Sequence, residues 1–148
     1  MEINYSKIYF IGIGGIGMSS IALFYLNNNK MVGGYDKTKS DLTLRLSNNG
    51  AQIHYESKVS NIPMEFKDNA NTLIVYTPAI SKDDVELNYF IENDYKIFKR
   101  SEVLGVISQN KFCIAIAGTH GKTTTSTILS HLLFENNISF TSFVGGIS

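Results

Sequence analysis

The stretch Lys7-Ile8-Tyr9-Phe10-Ile11-Gly12-Ile13-Gly14-Gly15-Ile16-Gly17 decides the fold of this chain. Its first five residues form a short run rich in apolar, β-branched and aromatic side chains, which is typical of a buried strand. The glycines that follow interrupt that run with a tight turn. After them, apolar side chains recur at helical spacing, namely Met18, Ile21, Ala22 and Tyr25. The stretch therefore predicts a strand, a glycine turn and a helix.

The same alternation of short apolar runs with helical patterns continues along the chain. Further strands are predicted at 31–35, 51–55, 72–76 and 96–98, and further helices at 41–50, 83–92 and 101–107. The polar stretch 56–71 is predicted to be mostly loop, with a short helix. Strands that alternate with helices form a parallel sheet covered on both faces. We therefore expect a Rossmann-like α/β fold, with every strand-to-helix loop at one edge of the sheet.

The pattern restarts after residue 108. A strand is predicted at 112–117, followed by a second glycine loop, a helix and a last strand at 139–144. The single cysteine, Cys113, lies in the first of these runs, so we expect a buried thiol and no internal disulfide. The prediction is a complete domain over residues 1–108, followed by the opening strand–P-loop–helix of a second α/β domain over 109–148.

Composition limits the classes of partner. The chain has 148 residues, with 13 Lys and Arg against 13 Asp and Glu, so a nucleic-acid-coating surface is not expected. The uncharged stretch 8–26 resembles a signal peptide or membrane span, but glycines in a helix interior cost about 1 kcal/mol each and no cleavage site follows. We expect a soluble, cytoplasmic protein with no membrane partner. The three histidines lack the spacing of a metal site.

The first glycine loop matches the pattern G-x-G-x-x-G between a strand and a helix. In such loops Gly12 allows the turn, Gly14 leaves room for a diphosphate, and Gly17 lets the helix pack close to the strand. The helix N-terminus attracts phosphate charge. Asp36 ends the second predicted strand, where a carboxylate either accepts ribose hydroxyls or serves only as a turn residue. The loop therefore predicts a dinucleotide or nucleoside-diphosphate ligand.

The second glycine loop is Gly118-Thr119-His120-Gly121-Lys122-Thr123-Thr124. It keeps the Gly-Lys-Thr core of a P-loop, whose backbone N–H groups cradle phosphate oxygens while Lys122 reaches the β- and γ-phosphates. Thr123 stands where a hydroxyl ligand of Mg²⁺ is expected. The full P-loop pattern has a glycine where Ile116 stands, so this loop is a shortened variant.

These residues resemble those of the Mur ligase family, and in particular its alanine-adding member, whose shortened P-loop also has a histidine at the position of His120. The resemblance runs over the whole chain in the same order. It includes several further motifs: Met18-Ser19, Tyr35-Asp36, Thr77-Pro78-Ala79-Ile80, Arg100-Ser101-Glu102 and Phe143-Val144-Gly145-Gly146.

The resemblance implies a three-domain, ATP-dependent ligase of bacterial peptidoglycan synthesis. ATP and Mg²⁺ would activate the carboxylate of UDP-N-acetylmuramate as an acyl phosphate, which the amine of L-alanine attacks. By position, the first loop would bind the UDP-sugar and the second the ATP phosphates. The implied UDP-sugar residues are Gly12, Gly14, Gly15, Ile16, Gly17, Asp36, Thr77 and Ala79. The implied ATP residues are Gly118, Thr119, His120, Gly121, Lys122, Thr123 and Thr124, with Lys122 and Thr123 catalytic and Thr123 also a ligand of Mg²⁺.

The chain is far shorter than such an enzyme, so we expect it to be inactive in ligation on its own. The P-loop segment lacks partner strands, and an unpaired strand edge favours pairing with another molecule in a homo-oligomer. Other functions stay open at this point. Residues 1–108 alone suit an NAD-binding oxidoreductase or redox sensor. The murein peptide ligase is the neighbour within the family that is hardest to exclude, and a nucleotide-responsive interaction module also fits the length.

Overall fold

The computed structural model describes residues 5–109 and 111–145, and it contains a parallel sheet of five strands. The strands are β1 (Lys7–Ile11), β2 (Met31–Tyr35), β3 (Gln52–His54), β4 (Thr72–Tyr76) and β5 (Lys96–Lys99). The helices are α1 (Ile16–Asn27), α2 (Asp41–Asn48), α3 (Val85–Glu92), α4 (Arg100–Ser108) and α5 (Lys122–Glu135). Two short 3₁₀ turns, Val59–Asn61 and Met64–Phe66, replace the short helix expected between β3 and β4.

The strand order is β3-β2-β1-β4-β5, so the Rossmann-like prediction is confirmed. The chain builds one side of the sheet from β1 to β3 and then returns to place β4 on the other side of β1. Lys7 pairs with Met31 of β2 and with Thr72 of β4, and both pairings are parallel. The carboxyl ends of β1 and β4 therefore form the point where strand order reverses, which is where open α/β sheets bind ligands.

Two hydrophobic layers cover the sheet. Ile8 and Phe10 face one layer, and helices α1, α2 and α4 bury Met18, Leu46 and Val103 there. The opposite layer contains side chains of β1, β4, α3 and the 3₁₀ turns, among them Tyr9, Ile11, Phe66, Ile74, Leu87 and Phe90. Since β1 lies in the middle of the sheet, its side chains are buried on both faces, and this explains its uninterrupted apolar run.

Strand β2 is formed although it contains two glycines. An ideal Cβ on Gly34 would overlap the carbonyl oxygen of Phe10, and one on Gly33 would lie 2.5 Å from the ring of Phe66. Close approach of β1 and of an aromatic ring therefore requires glycine at both positions.

The C-terminal segment differs from its prediction. The structure describes no strand at 112–117 or at 139–144, although the intervening helix α5 is present. Cys113 is exposed, so the expectation of a buried thiol is wrong, and Phe112 is 95% exposed. A strand needs a neighbour for its hydrogen bonds, and the described residues supply none to this segment. The domain boundary near residue 108 stays a prediction.

No helix among the described residues is both long and apolar enough to cross a membrane.

Candidate functional site

The first glycine loop joins three strand ends. Gly12 has a φ of +86°, a left-handed conformation that favours glycine, as expected of the residue that makes the turn. The N–H groups of Gly12 and Ile13 donate to the carbonyl of Tyr35 at 2.8 and 3.1 Å. On the other side, a Cβ on Gly12 would lie 3.1 Å from Thr77 Cγ2. The ends of β1, β2 and β4 therefore meet around this turn.

Asp36 lies against the loop rather than apart from it. Its Oδ2 accepts the N–H of Gly14 at 2.7 Å, and its Oδ1 accepts the N–H of Thr38 at 2.9 Å. A Cβ on Gly14 would lie 2.8 Å from Oδ2, so the space that the glycine leaves is filled by this carboxylate. Asp36 thus has the role of a turn residue and also anchors the loop. Contact of Gly14 with a diphosphate, and of Asp36 with ribose, stays a prediction.

The N-terminus of α1 presents unpaired backbone donors. Gly15 is the N-cap, with no side-chain cap, and the first turn contains no acidic residue. The N–H of Gly15 donates to Gly12 O at 3.3 Å and that of Ser19 donates to Gly15 O at 2.8 Å. Within the described chain, the N–H groups of Ile16, Gly17 and Met18 have no acceptor, as is usual in a first helical turn. These three donors and the helix dipole favour an anion.

Thr77 and Ala79 belong to the turn that follows β4. The N–H of Ile80 donates to Thr77 O at 3.0 Å and closes this turn, on which Ala79 is exposed. The structure thus brings Thr77 beside Gly12 and leaves Ala79 at the surface of the same edge.

Sequence reasoning assigned no role to Arg100, which the structure places beside the first loop. A Cβ on Gly17 would lie 2.7 Å from Arg100 Nη1. The position of Arg100 in the sequence is one indication of this placement. Arg100 directly follows β5, whose carboxyl end lies at the same edge of the sheet as that of β1.

The second glycine loop is a loop in the structure as well, and it leads into the exposed N-terminus of helix α5. Gly121 is the N-cap of α5 and has a φ of +78°. The Nζ of Lys122 donates to the carbonyl oxygens of Gly118 and Thr119 at 2.5 and 3.3 Å, so the side chain folds back over the loop. The N–H of Thr125 donates to Gly121 O at 2.9 Å. The N–H groups of the three preceding residues, 122–124, have no acceptor in the described structure.

The remaining site residues, Thr119, His120, Thr123 and Thr124, are exposed around this loop. No side-chain hydrogen bond involves the hydroxyl of Thr123 among the described residues, and its binding of Mg²⁺ stays a prediction. No group of three or more His, Cys, Asp or Glu side chains in the described ranges could hold a metal ion.

A buried polar cluster lies on the α3 side of the sheet, formed by Tyr9, His54 and Glu86. Tyr9 Oη lies 2.6 Å from Glu86 Oε2 and 2.7 Å from His54 Nε2. The N–H of Lys58 donates to Glu86 Oε1 at 3.0 Å. Burial raises the pKa of Glu86 to about 7 and lowers that of His54. Sequence reasoning missed this cluster because the three residues are far apart along the chain.

Residues 7–112 match the model of the Mur ligase family, catalytic domain. The chain is 51% identical over 141 residues to UDP-N-acetylmuramate–L-alanine ligase of Flavobacterium psychrophilum, which covers 95% of this chain and 31% of that enzyme. It is 49% identical over 149 residues to the ligase of the same name from Phocaeicola vulgatus, covering 100% and 32%.

Two solved structures extend the comparison. The crystal structure of UDP-N-acetylmuramate–alanine ligase from Thermotoga maritima has a TM-score of 0.85 at 33% identity, covering 96% of this chain and 32% of that one. A murein peptide ligase from Psychrobacter arcticus has a TM-score of 0.74 at 26% identity, covering 88% and 27%. The chain therefore spans about a third of the length of the relatives it matches.

Proposed function

The chain belongs to the Mur ligase family, and on that premise we propose that it forms the UDP-sugar-binding part, and the start of the ATP-binding part, of an ATP-dependent ligase that joins L-alanine to UDP-N-acetylmuramate. The relatives at 44–51% identity carry the name of that ligase, which supports this substrate pair over others in the family. The murein peptide ligase has less support, since its solved structure from Psychrobacter arcticus is 26% identical to this chain and that of the alanine ligase from Thermotoga maritima is 33% identical.

The proposal of a UDP-sugar site rests on the unpaired backbone N–H groups at the N-terminus of α1. Three unpaired N–H groups (Ile16, Gly17 and Met18) lie beside the Gly12 turn, where strand order reverses between β1 and β4. A diphosphate in this position would satisfy those donors and interact favourably with the helix dipole. Gly12, Gly14 and Gly15 shape the turn that brings the donors together.

Asp36 is proposed to act at the ribose while it anchors the loop. Each of its carboxylate oxygens accepts one backbone N–H and keeps a further lone pair. A ribose hydroxyl donating to that lone pair would leave the Gly14 bond intact. Thr77 and Ala79 are proposed to line the neighbouring side of the same site, because their turn packs against Gly12.

The second loop is proposed to hold the phosphates of ATP. The residues concerned are Gly118, Thr119, His120, Gly121, Lys122, Thr123 and Thr124. The ammonium of Lys122 would exchange the carbonyls of Gly118 and Thr119 for phosphate oxygens, and there it stabilises the charge that develops on the transferred phosphoryl group.

Thr123 fits a magnesium site, because its hydroxyl is exposed, has no partner among the described residues and lies in the first turn after the loop. Bound Mg²⁺ would supply charge neutralisation at the ATP phosphates.

In the proposed reaction, the muramate carboxylate attacks the γ-phosphorus of ATP, so that an acyl phosphate forms and ADP leaves. The amine of L-alanine then attacks the acyl carbon, giving an amide and inorganic phosphate. Both steps require the substrates to be aligned across domains. Because this chain spans about a third of its relatives, we expect it to bind UDP-sugar but to show no turnover. A cytoplasmic location belongs to this proposal, since ATP and UDP-sugars are cytoplasmic metabolites.

A thermal-shift comparison of UDP-N-acetylmuramate with NAD tests the proposal. A ligand that binds only the folded state stabilises it by about 2.7 kcal/mol at a concentration a hundred times its Kd. We expect the UDP-sugar to raise the melting temperature of the chain and NAD to leave it unchanged. A shift with NAD and none with the UDP-sugar would instead support the oxidoreductase alternative.

A further inference from the structure

Arg100 packs its side chain against the backbone of the first glycine loop. It is the first residue of α4, and Gly17 lies in the first turn of α1. An ideal Cβ on Gly17 would lie 2.7 Å from Arg100 Nη1 and 3.2 Å from both Cδ and Cζ. The absence of a side chain on Gly17 is thus what lets the arginine stem and guanidinium lie beside this helical turn.

The charge of Arg100 is not compensated by any carboxylate in the described part of the chain. None of the three ion pairs found there includes it. Glu102, the nearest acidic residue along the chain, accepts the N–H of Lys99 at 2.6 Å and so caps α4 instead. Arg100 is also largely exposed, so its guanidinium can reach a ligand from solvent.

The position of this cation is electrostatically unfavourable without an anion. Arg100 stands in the first turn of its own helix and beside the first turn of α1. Both helix N-termini carry partial positive charge, so a cation is disfavoured there. The three unpaired N–H groups of α1 add donors to the same place. A doubly charged anion between them would turn this repulsion into attraction.

We propose that Arg100 binds the diphosphate of the UDP-sugar and holds its phosphate oxygens together with the N–H groups of α1. A planar guanidinium can pair with two phosphate oxygens at once, which fixes orientation as well as charge. This role of Arg100 rests on the function proposed above, and no sequence pattern assigns it.

A shallow pocket beside Arg100 indicates a second anionic group of the substrate that this side chain could bind. It is lined by Gly17, Ser20, Ile21, Arg100, Leu104 and residues 143–145. The pocket extends from α1 toward the segment that follows α5. The alternative is that Arg100 binds the lactyl carboxylate of the muramate instead of the diphosphate. Ligands that contain this carboxylate and ligands that lack it distinguish these two possibilities.

The experiment measures the affinity of the chain for uridine, UDP and UDP-N-acetylmuramate by titration calorimetry. We expect Arg100→Met to weaken UDP and UDP-N-acetylmuramate equally, by about ten- to a hundredfold, and to leave uridine unchanged. Arg100→Lys restores part of the loss, since it keeps the charge without the planar fork. Arg45→Met is the matched control, because it removes the only other arginine, which is exposed on α2.

The melting temperature of the variants distinguishes a ligand-binding role of Arg100 from a merely structural role. Arg100→Met removes a cation from two helix N-termini, so we expect the melting temperature without ligand to stay the same or rise. Gly17→Ala keeps the charge but displaces the guanidinium, and we expect it to weaken UDP as well.

Three results would overturn the inference: unchanged UDP affinity, a loss confined to UDP-N-acetylmuramate, or an equal loss for uridine with a lower melting temperature. If the wild-type chain bound no UDP at all, the proposed function itself would fail.

Discussion

The backbone N–H of Gly14 donates a hydrogen bond to Oδ2 of Asp36 at 2.7 Å, so the loop after β1 is tied to the turn after β2. Oδ1 of the same carboxylate accepts the N–H of Thr38 at 2.9 Å. One side chain therefore fixes two loops at the edge of the sheet where the ligand is proposed to bind.

Replacement of Asp36 by alanine is expected to loosen both loops. Two charge-assisted hydrogen bonds are lost, which lowers the free energy of unfolding by about 1–3 kcal/mol and weakens UDP binding. Chemical denaturation and titration with UDP measure the two effects. Asp83→Ala is the control, because Asp83 is an exposed aspartate whose carboxylate has no hydrogen bond in the described structure. Equal stability and affinity in the Asp36 and Asp83 variants would contradict the anchoring role.

Alanine substitutions at two glycines are expected to change the free energy of unfolding in opposite directions. A Cβ on Gly34 would overlap the carbonyl oxygen of Phe10, which pushes β2 away from β1, so Gly34→Ala should cost about 2–4 kcal/mol. Gly105 lies inside α4 with no atom within 4 Å of its Cβ position. Gly105→Ala should therefore stabilise the chain by about 0.5–1 kcal/mol. Urea denaturation of both variants measures the difference, and a loss in Gly105→Ala would show that the space around α4 is filled.

The buried cluster of Tyr9, His54 and Glu86 predicts a pH dependence of stability. Burial raises the pKa of Glu86 to about 7 and lowers that of His54, so burial favours the neutral form of each side chain in this contact of 3.5 Å. The folded chain thus keeps a proton on Glu86 that the unfolded chain releases. The stability that this proton supplies is fully present below pH 4.5 and is lost as the pH rises through about 7.

Glu86→Gln tests this dependence, since glutamine keeps the size of the side chain and cannot ionise. From pH 5 to pH 8 we expect the wild-type chain to lose about 2–3 kcal/mol of stability relative to the variant. His54 contributes in the opposite direction, because stability from its lowered pKa is lost as the pH falls below 6.5. The difference in the free energy of unfolding between the wild-type chain and the Glu86→Gln variant therefore reports mainly the ionisation of Glu86. Parallel stability curves over this pH range would show that Glu86 ionises normally in the folded chain.

The sequence predicted the sheet well because its strands are local patterns. The bounds of β1 and β4 follow from mainly apolar runs of five residues that end at a glycine or at Thr-Pro, whereas two glycines interrupt the run of β2. The two strands predicted at 112–117 and 139–144 were not found because a strand also depends on hydrogen-bonding neighbours, which no local pattern contains. Cys113 lies in the first of these two segments and is exposed for the same reason.

The candidate site was predicted in part for similar reasons. Gly12 was recognised as the turn residue because its conformation is a local property. The bond between Gly14 and Asp36 and the packing of Arg100 on Gly17 depend on how separate strand ends meet, so spacing alone does not reveal them. The cluster around Glu86 joins β1, β3 and α3 and is likewise a product of the fold.

Helix α5 has an apolar face that is exposed. Ile128 and Leu132 are more than half exposed and lie one helical turn apart, and no residue of α5 is buried. Because their burial contributes little to the folded chain, the double variant Ile128→Gln, Leu132→Gln should change the free energy of unfolding by less than about 0.5 kcal/mol. The same variant should reduce self-association of the chain, since exposed apolar side chains promote contacts between copies. Light scattering over a concentration series measures association, and Leu46→Gln, at a buried position of α2, is the contrast that should unfold the chain. A large loss of stability in the α5 variant would mean that this helix packs against the sheet in solution, and unchanged association would place any contact between copies elsewhere.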